Sequence, residues 1–232
     1  MTFKKAEIEV TLVDSMGSDL SVVNAARVSF NKQSFFVNED AWLENDEQLK
    51  LSEKDAKLIS YLARHNHWTP FGHSFATFRI KAPLFVARQL GKHQVGLVWN
   101  EVSRRYVDSE PEFYSPGHLR GRAENVKQGS AETASELKNE GTEYPHRDFV
   151  IQSCLDLYNG LLADGVAPEE ARMYLPQNMM TEWVWSGSLA AFSRVCKLRL
   201  DPHTQKETQE VAEKLSENMS ILFPVSWKEL QS

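Results

Sequence analysis

The densest chemistry-bearing stretch is Arg88-Gln89-Leu90-Gly91-Lys92-His93-Gln94, followed after a short loop by Asn100-Glu101-Val102-Ser103-Arg104-Arg105-Tyr106. If residues 83–94 form one helix, Arg88 and Lys92 share a face and Gln89 and His93 share the adjacent one, because side chains four apart are neighbours on a helix surface. One helix end then presents two cations, an amide and an imidazole together. That set suits a dianionic phosphate, with Ser103 and its backbone adding neutral donors and an arginine adding a bidentate fork that never loses its charge. A solvated basic helix end with surface ion pairs is the competing reading, and composition alone does not separate the two.

Three histidines fall within His65-Asn66-His67-Trp68-Thr69-Pro70-Phe71-Gly72-His73 and raise the question of zinc or a metal-dependent hydrolase. Their spacing lacks a matching acid or an H-E-x-x-H partner, so capping and hydrogen bonding at a helix end are favoured and no metal is expected. Arg199 lies three residues after Cys196 and seven after Phe192, on the apolar stripe of its helix. An arginine on a buried face needs an anionic partner: a ligand, an internal carboxylate such as Glu182, or water reached by snorkelling. Arg172, in a helix before Tyr174-Leu175-Pro176, poses the same question, and His203 and Gln205 follow at an expected helix start. Cys154 and Cys196 have no neighbouring histidine or helix N-terminus to lower their pKa, so they read as packing residues and not as nucleophiles. No glycine-rich dinucleotide or P-loop fingerprint is present.

The elements that must position these residues follow from periodicity. Residues 8–13 read as a strand, Ser18 opens a helix through Val28, and residues 31–45 show no period. Ser52 caps a helix that ends near His65, and Pro70 and Gly72 break the chain. Residues 74–81 alternate Ala76, Phe78 and Ile80 against Phe75, Thr77 and Arg79, the period of a strand. Pro83 then begins a helix. Residues 115–144 turn polar and read as a surface insertion. After His146, Val150, Cys154, Leu157, Tyr158 and Leu161 define an amphipathic helix closed by Gly165, and Pro168 starts a short one. Residues 180–185 read as a strand, 188–199 as a helix, and a final helix after Pro202 buries Val211, Leu215, Met219 and Leu222. This order favours a single mixed α+β domain over residues 1–232, with an antiparallel or mixed sheet flanked by helices.

The 232 residues are 41% apolar and 25% charged, which excludes wholesale disorder and supplies enough core without covalent staples. Two cysteines without a disulfide framework suggest a reducing cytoplasm, and no apolar run is long enough for a membrane span or secretory signal. A net charge of −6 argues against binding nucleic acid by bulk positive charge. The distribution is uneven: residues 79–107 hold six basic residues against one acid, whereas 39–55 hold seven acids against two lysines.

Taken together, these blocks resemble the flavin-dependent thymidylate synthase family. Its signature is R-H-R, seven residues and S, inside an N-E-x-S-x-R-Y block; here Lys92-His93-Gln94 precedes Ser103 by eight residues, with Asn100 to Tyr106 intact. Gly17 to Leu20, Ala25 to Phe30, His67-Trp68-Thr69-Pro70-Phe71, Lys81-Ala82-Pro83 and Phe85 to Gln89 are similar to further family blocks, as are Arg172 with Leu175-Pro176 and Leu198-Arg199 with Asp201 and His203. The resemblance implies reductive methylation of dUMP to dTMP, with methylenetetrahydrofolate as one-carbon donor and NADPH as reductant through bound FAD. It also implies a homotetramer with shared active sites, and activation of dUMP without an enzymatic thiol. By residue, it assigns Arg199 and Ser103 to catalysis, and Gln89, Lys92, Glu101, Val102, Ser103, Arg104, Arg105, Arg172 and Arg199 to dUMP. It places Thr69, Lys92, His93, Gln94, Glu101 and His203 at the flavin, and His67 at the folate or flavin edge.

The chain departs from the family at Lys92 and Gln94, at the longer loop before Ser103, and at Ser188, Ala190 and Arg194, where the family has Asn, Arg and Asn. A nucleotide-binding protein that keeps the dUMP site but is catalytically impaired is the alternative reading.

Overall fold

The computed structural model describes residues 3–38, 49–107, 109–117, 119–122, 129–131 and 146–232. In chain order, the first elements are β1 (Lys4–Lys5), β2 (Glu9–Met16), α1 (Asp19–Arg27), β3 (Val37–Asn38), β4 (Leu49–Lys50) and α2 (Glu53–Arg64). A 3-10 turn over Thr69–Gly72 leads to β5 (Phe75–Pro83), α3 (Leu84–Leu90), β6 (Leu97–Glu101) and β7 (Glu112–Phe113). The chain continues with α4 (His146–Ala163), α5 (Pro168–Ala171), β8 (Met180–Ser188), α6 (Leu189–Arg199), α7 (Lys206–Leu222) and α8 (Pro224–Gln231).

The alternation in residues 75–83 builds the centre. Strands β2, β5, β8 and β6 are neighbours in that order and antiparallel throughout, while two separate two-stranded ladders pair β1 with β7 in parallel and β3 with β4 antiparallel. Ala76, Phe78, Ile80, Trp183 and Trp185 are buried on one face with Phe192 and Val195 of α6 and Val211 and Leu215 of α7. Trp99 of the edge strand stacks on Trp183 at 4.3 Å between centroids, a contact worth roughly 0.5–1.5 kcal/mol beyond its area.

The opposite face carries Thr11, Phe75, Thr77, Arg79, Val98, Asn100, Val184 and Ser186, as the register requires of a strand whose alternate residues are buried. Its apolar members are open: Val98 is 66% and Val184 39% exposed. Helices therefore cover this sheet on one face, where the sequence suggested flanking.

Local chemistry explains several boundaries. Ser52 caps α2 by accepting from Asp55 N at 3.2 Å, and Ser188 caps α6 by accepting from Ala191 N at 3.2 Å. Asp55 also accepts from Arg27, Ser34 and Ser52. Burial alone would raise its pKa, but those bonds outweigh it and hold the carboxyl below its usual range. Asp19, in the first turn of α1, accepts from the backbone of Val225 at 2.9 Å and Ser226 at 2.8 Å, capping α8 from the far end of the sequence.

Four expectations are corrected. Helix α3 stops at Leu90, with Gly91 N–H closing on Ala87 O, so Lys92, His93 and Gln94 lie beyond it and share no helix face with Arg88 or Gln89. The loop before Glu101 is instead edge strand β6, whose five residues are too short for periodicity to be decisive. In α4 the buried side is Ile151, Leu155 and Tyr158, while Val150 and Leu157 face out. The final helix is two, because Pro224 lacks the N–H to continue α7 and opens α8 instead. Most of the polar insertion at 115–144 lies outside the described residues.

Asp19→Ala removes the acceptor of two otherwise orphaned N–H groups. It is expected to lower stability by about 1–2 kcal/mol in urea denaturation, with far-UV circular dichroism otherwise preserved.

Candidate active site

Arg199 closes α6 half-buried. Its Nε donates to Nε2 of His93 at 3.0 Å and its Nη2 to the carbonyl of Gln89 at 3.3 Å. Accepting at Nε2 requires His93 to be neutral there, with its proton on Nδ1. Burial first, and then the adjacent Arg199 charge, hold the His93 pKa below 6.5. Arg199 is itself lowered by burial. Among the described residues it has no carboxylate partner; Glu182, the internal candidate, pairs with Arg79 at 2.6 Å across β5 and β8. Gln89 is fixed in turn by Thr208, whose hydroxyl donates at 3.2 Å, and by a short bond to Gln205. The cluster is a cation surrounded by neutral groups.

A second set lines a groove of about 760 Å³ that includes Glu101, Val102, Arg104 and Arg172. Glu101 leaves the end of β6 and accepts from Thr181 Oγ1 at 2.7 Å and Trp99 Nε1 at 3.3 Å. Val102 N donates to Glu182 O at 2.8 Å, which fixes the start of the following turn. Sequence reasoning did not place Thr181, Glu182 or Lys4 here, since their arrival depends on strand pairing. The charges sort in an informative way. Lys4 and Lys81 both pair with Glu112; burial would raise that carboxyl, but the two lysines hold it below its usual range. Among the described residues, Arg104 bonds only the carbonyl of Ser109, and Arg172 only that of Glu169 at 3.4 Å. The lysines are neutralised and the arginines keep their charge. Arg172 lies on a 3-10 turn after α5, not in a helix as expected.

Ser103 sits in the turn after β6. Its Oγ accepts from Arg105 N at 3.3 Å and Arg105 Nε at 3.2 Å, which leaves its hydroxyl hydrogen to donate outward. Thr69 and His67 border another groove of about 770 Å³ with Arg27, Phe30 and Trp68. His67 meets Tyr61 edge-on at 5.9 Å, and Tyr61 also contacts His65. Among the described residues no three His, Cys, Asp or Glu side chains converge as metal ligands. Lys92 and Gln94 are exposed on either side of His93. His203 is exposed, its N–H donating to Asp201 Oδ1 at 2.8 Å. Cys196 is buried in the core, bonded to Ala212 O, and burial pushes its thiol up to about 12; Cys154 is half-buried. A thiolate at Cys196 is out of reach at neutral pH.

A family model described as thymidylate synthase complementing protein matches residues 11–225. The chain belongs to the flavin-dependent thymidylate synthase family. It is 38% identical over 202 residues to a flavin-dependent thymidylate synthase of Thermosipho africanus, covering 87% of this chain and 81% of that protein. It is also 38% identical over 218 residues to one of Thermus thermophilus, covering 94% and 73%. A solved UMP/dUMP methylase, PolB of Streptomyces cacaoi bound with 5-Br UMP, superposes with a TM-score of 0.80 at 28% identity, over 98% of this chain and 95% of that one. Among the described residues, no helix is long and apolar enough to cross a membrane.

In this flavin-dependent thymidylate synthase family member, the His93 imidazole is expected to titrate below 6.5 by NMR. Arg199→Leu, which keeps apolar bulk but removes the charge, should move that midpoint upward. Because the folded-state value is depressed, the associated stability is present above about pH 6.5 and is lost as pH falls through the lower folded value.

Proposed function

We propose that the chain catalyses the reductive methylation of dUMP to dTMP, with methylenetetrahydrofolate giving the one-carbon unit and NADPH the reducing equivalents through FAD. The observation that carries this reading is the half-buried Arg199, held by His93 and a carbonyl and left without a carboxylate among the described residues. Such a cation can stabilise negative charge developing on a uracil ring, because no acid among those residues already neutralises it. Membership of the family supports the same reaction.

The dUMP residues then divide by chemistry. Arg105, Arg104 and Arg172 provide charge for the phosphate, and Ser103 donates its hydroxyl to phosphate or sugar while acting with Arg199 on the reacting nucleotide. Gln89, Lys92, Glu101 and the backbone of Val102 complete the nucleotide contacts. For FAD the donor set fits: Lys92 brings a cation for phosphate, and Gln94, Thr69, His93 and His203 bring neutral groups for carbonyls and ring nitrogens, with Glu101 nearby and His67 at the folate or flavin edge. Bound FAD supplies the hydride chemistry that none of these side chains can perform. His93 keeps Arg199 aimed, and the buried Cys196 stays outside the reaction.

A homotetramer with shared sites completes the proposal. Arg199, His93 and Gln89 have no residue in common with the lining of the Glu101–Arg172 groove, and the open sheet face exposes Phe75, Val98 and Val184 among polar residues, a mixed surface that another subunit could cover. The small-molecule ligands are all anionic, which the local basic cluster of an acidic chain can attract.

The purified protein is expected to be yellow and to form dTMP only with both folate donor and reductant. A colourless protein that stays inactive with added FAD overturns the reading, and tight dUMP binding under those conditions would favour the impaired nucleotide binder. Arg199→Ala is expected to lower turnover about 100- to 1000-fold with a much smaller change in the dUMP dissociation constant. Val184→Glu should yield a smaller species by sedimentation, with loss of turnover and retained secondary structure.

A further inference from the structure

Eight residues separate Gln94 from Ser103, one more than in the signature the sequence resembles, and α6 holds the start of this stretch at two points. At the helix end Arg199 bonds His93. One and a half turns earlier, Arg194 Nη2 donates to the carbonyl of Val95 at 2.8 Å. On either side of Val95 the backbone is tied, Gln94 O accepting from Leu97 N and Gly96 O from Ser188 N, both at 3.2 Å; at Val95 itself the side chain is 79% exposed and the carbonyl has no partner but Arg194 among the described residues.

The residue after Val95 shows how the added length is absorbed. Gly96 has φ +76°, a conformation that L side chains rarely adopt, and a Cβ there would lie 3.2 Å from Ala191 Cβ and 3.4 Å from Ser188 Oγ. Its carbonyl accepts from Ser188 N at 3.2 Å. Ser188, Ala191 and Arg194 are three apart, so one stripe along the start of α6 forms the seat. The loop and this helix face are therefore in direct contact.

We propose that Arg194 is a positioning residue for the Lys92-His93-Gln94 triplet, clamping the Val95 carbonyl so that the lengthened loop delivers His93 to Arg199. The proposal rests on the enzymatic reading above for its effect on turnover, but the clamp itself does not. Arginine suits the task because its planar fork reaches a carbonyl from an exposed helix position, and among the described residues no carboxylate competes for it. With the carbonyl released, the turn after His93 loses its side-chain tie to α6, and His93 gains water.

The test uses ligand-free protein first. In Arg194→Ala the His93 imidazole is expected to titrate closer to 6.5 than in the parent, read by NMR, while the thermal unfolding midpoint stays within a few degrees. Arg194→Lys, which keeps a donor and a charge, should return most of the shift. In the loaded enzyme Arg194→Ala should lower kcat between about 10- and 100-fold, the scale of a small misplacement, with the KM for dUMP changed much less. An unchanged His93 titration in Arg194→Ala overturns the clamp, as does an Arg194→Lys titration identical to that of Arg194→Ala. A shifted titration in a protein that makes no dTMP would keep the clamp and sink the enzymatic reading instead.

Discussion

A guanidinium held at a half-buried helix end by neutral acceptors is the constraint from which the rest of the site follows. A carboxylate would neutralise Arg199, but among the described residues it has none as a partner, and Glu182 lies on the open face of the sheet, paired with Arg79. Two unit charges about 4 Å apart interact by roughly 4 kcal/mol at a protein surface and about 1 kcal/mol in bulk water. A resident carboxylate would absorb most of that field before a ligand arrived. Imidazole and carbonyl acceptors satisfy the N–H groups without cancelling the charge. The same economy recurs in the groove, where Glu112 takes both lysines and leaves Arg104 and Arg172 to carbonyls.

Keeping Arg199 there depends on how β8 turns into α6. Ser188 ends the strand and caps the helix, so the helix axis is set by the sheet. Phe192, Val195 and Cys196 then anchor α6 on Phe78 and Trp185, and Arg199 lies at the rim of that packing. The edge strand β6 is held by the Trp99–Trp183 stack. It links the His93 segment at one end to Glu101 and Ser103 at the other, so both signature halves take their positions from β8.

Much of this was legible in the residues. The Ser52 and Ser188 caps, the alternation around Phe78 and the core of α7 follow from short-range rules that need no partner. The site residues came from the resemblance alone. What escaped depended on distant partners. Lys92 and His93 belong to a turn because Gly91 ends α3 and the chain is drawn to α6, and Thr181 enters the groove only through the pairing of β8 with its neighbours. The α4 stripe was misplaced because apolar residues occupy both of its sides, and only the packing of Ile151 and Leu155 against Phe113 shows which is inward.

The carboxylate of Asp19 reaches the amides of α8 across 206 and 207 positions of sequence. During synthesis the acceptor leaves the ribosome long before its donors exist, so a nascent chain carries α1 with that acid unengaged. Contacts of such separation close late and slow the search for the native state. The contact of α8 with α1 and α2 therefore forms only once residue 226 has been made, and a product terminated before it would leave the Asp19 carboxylate without these two donors.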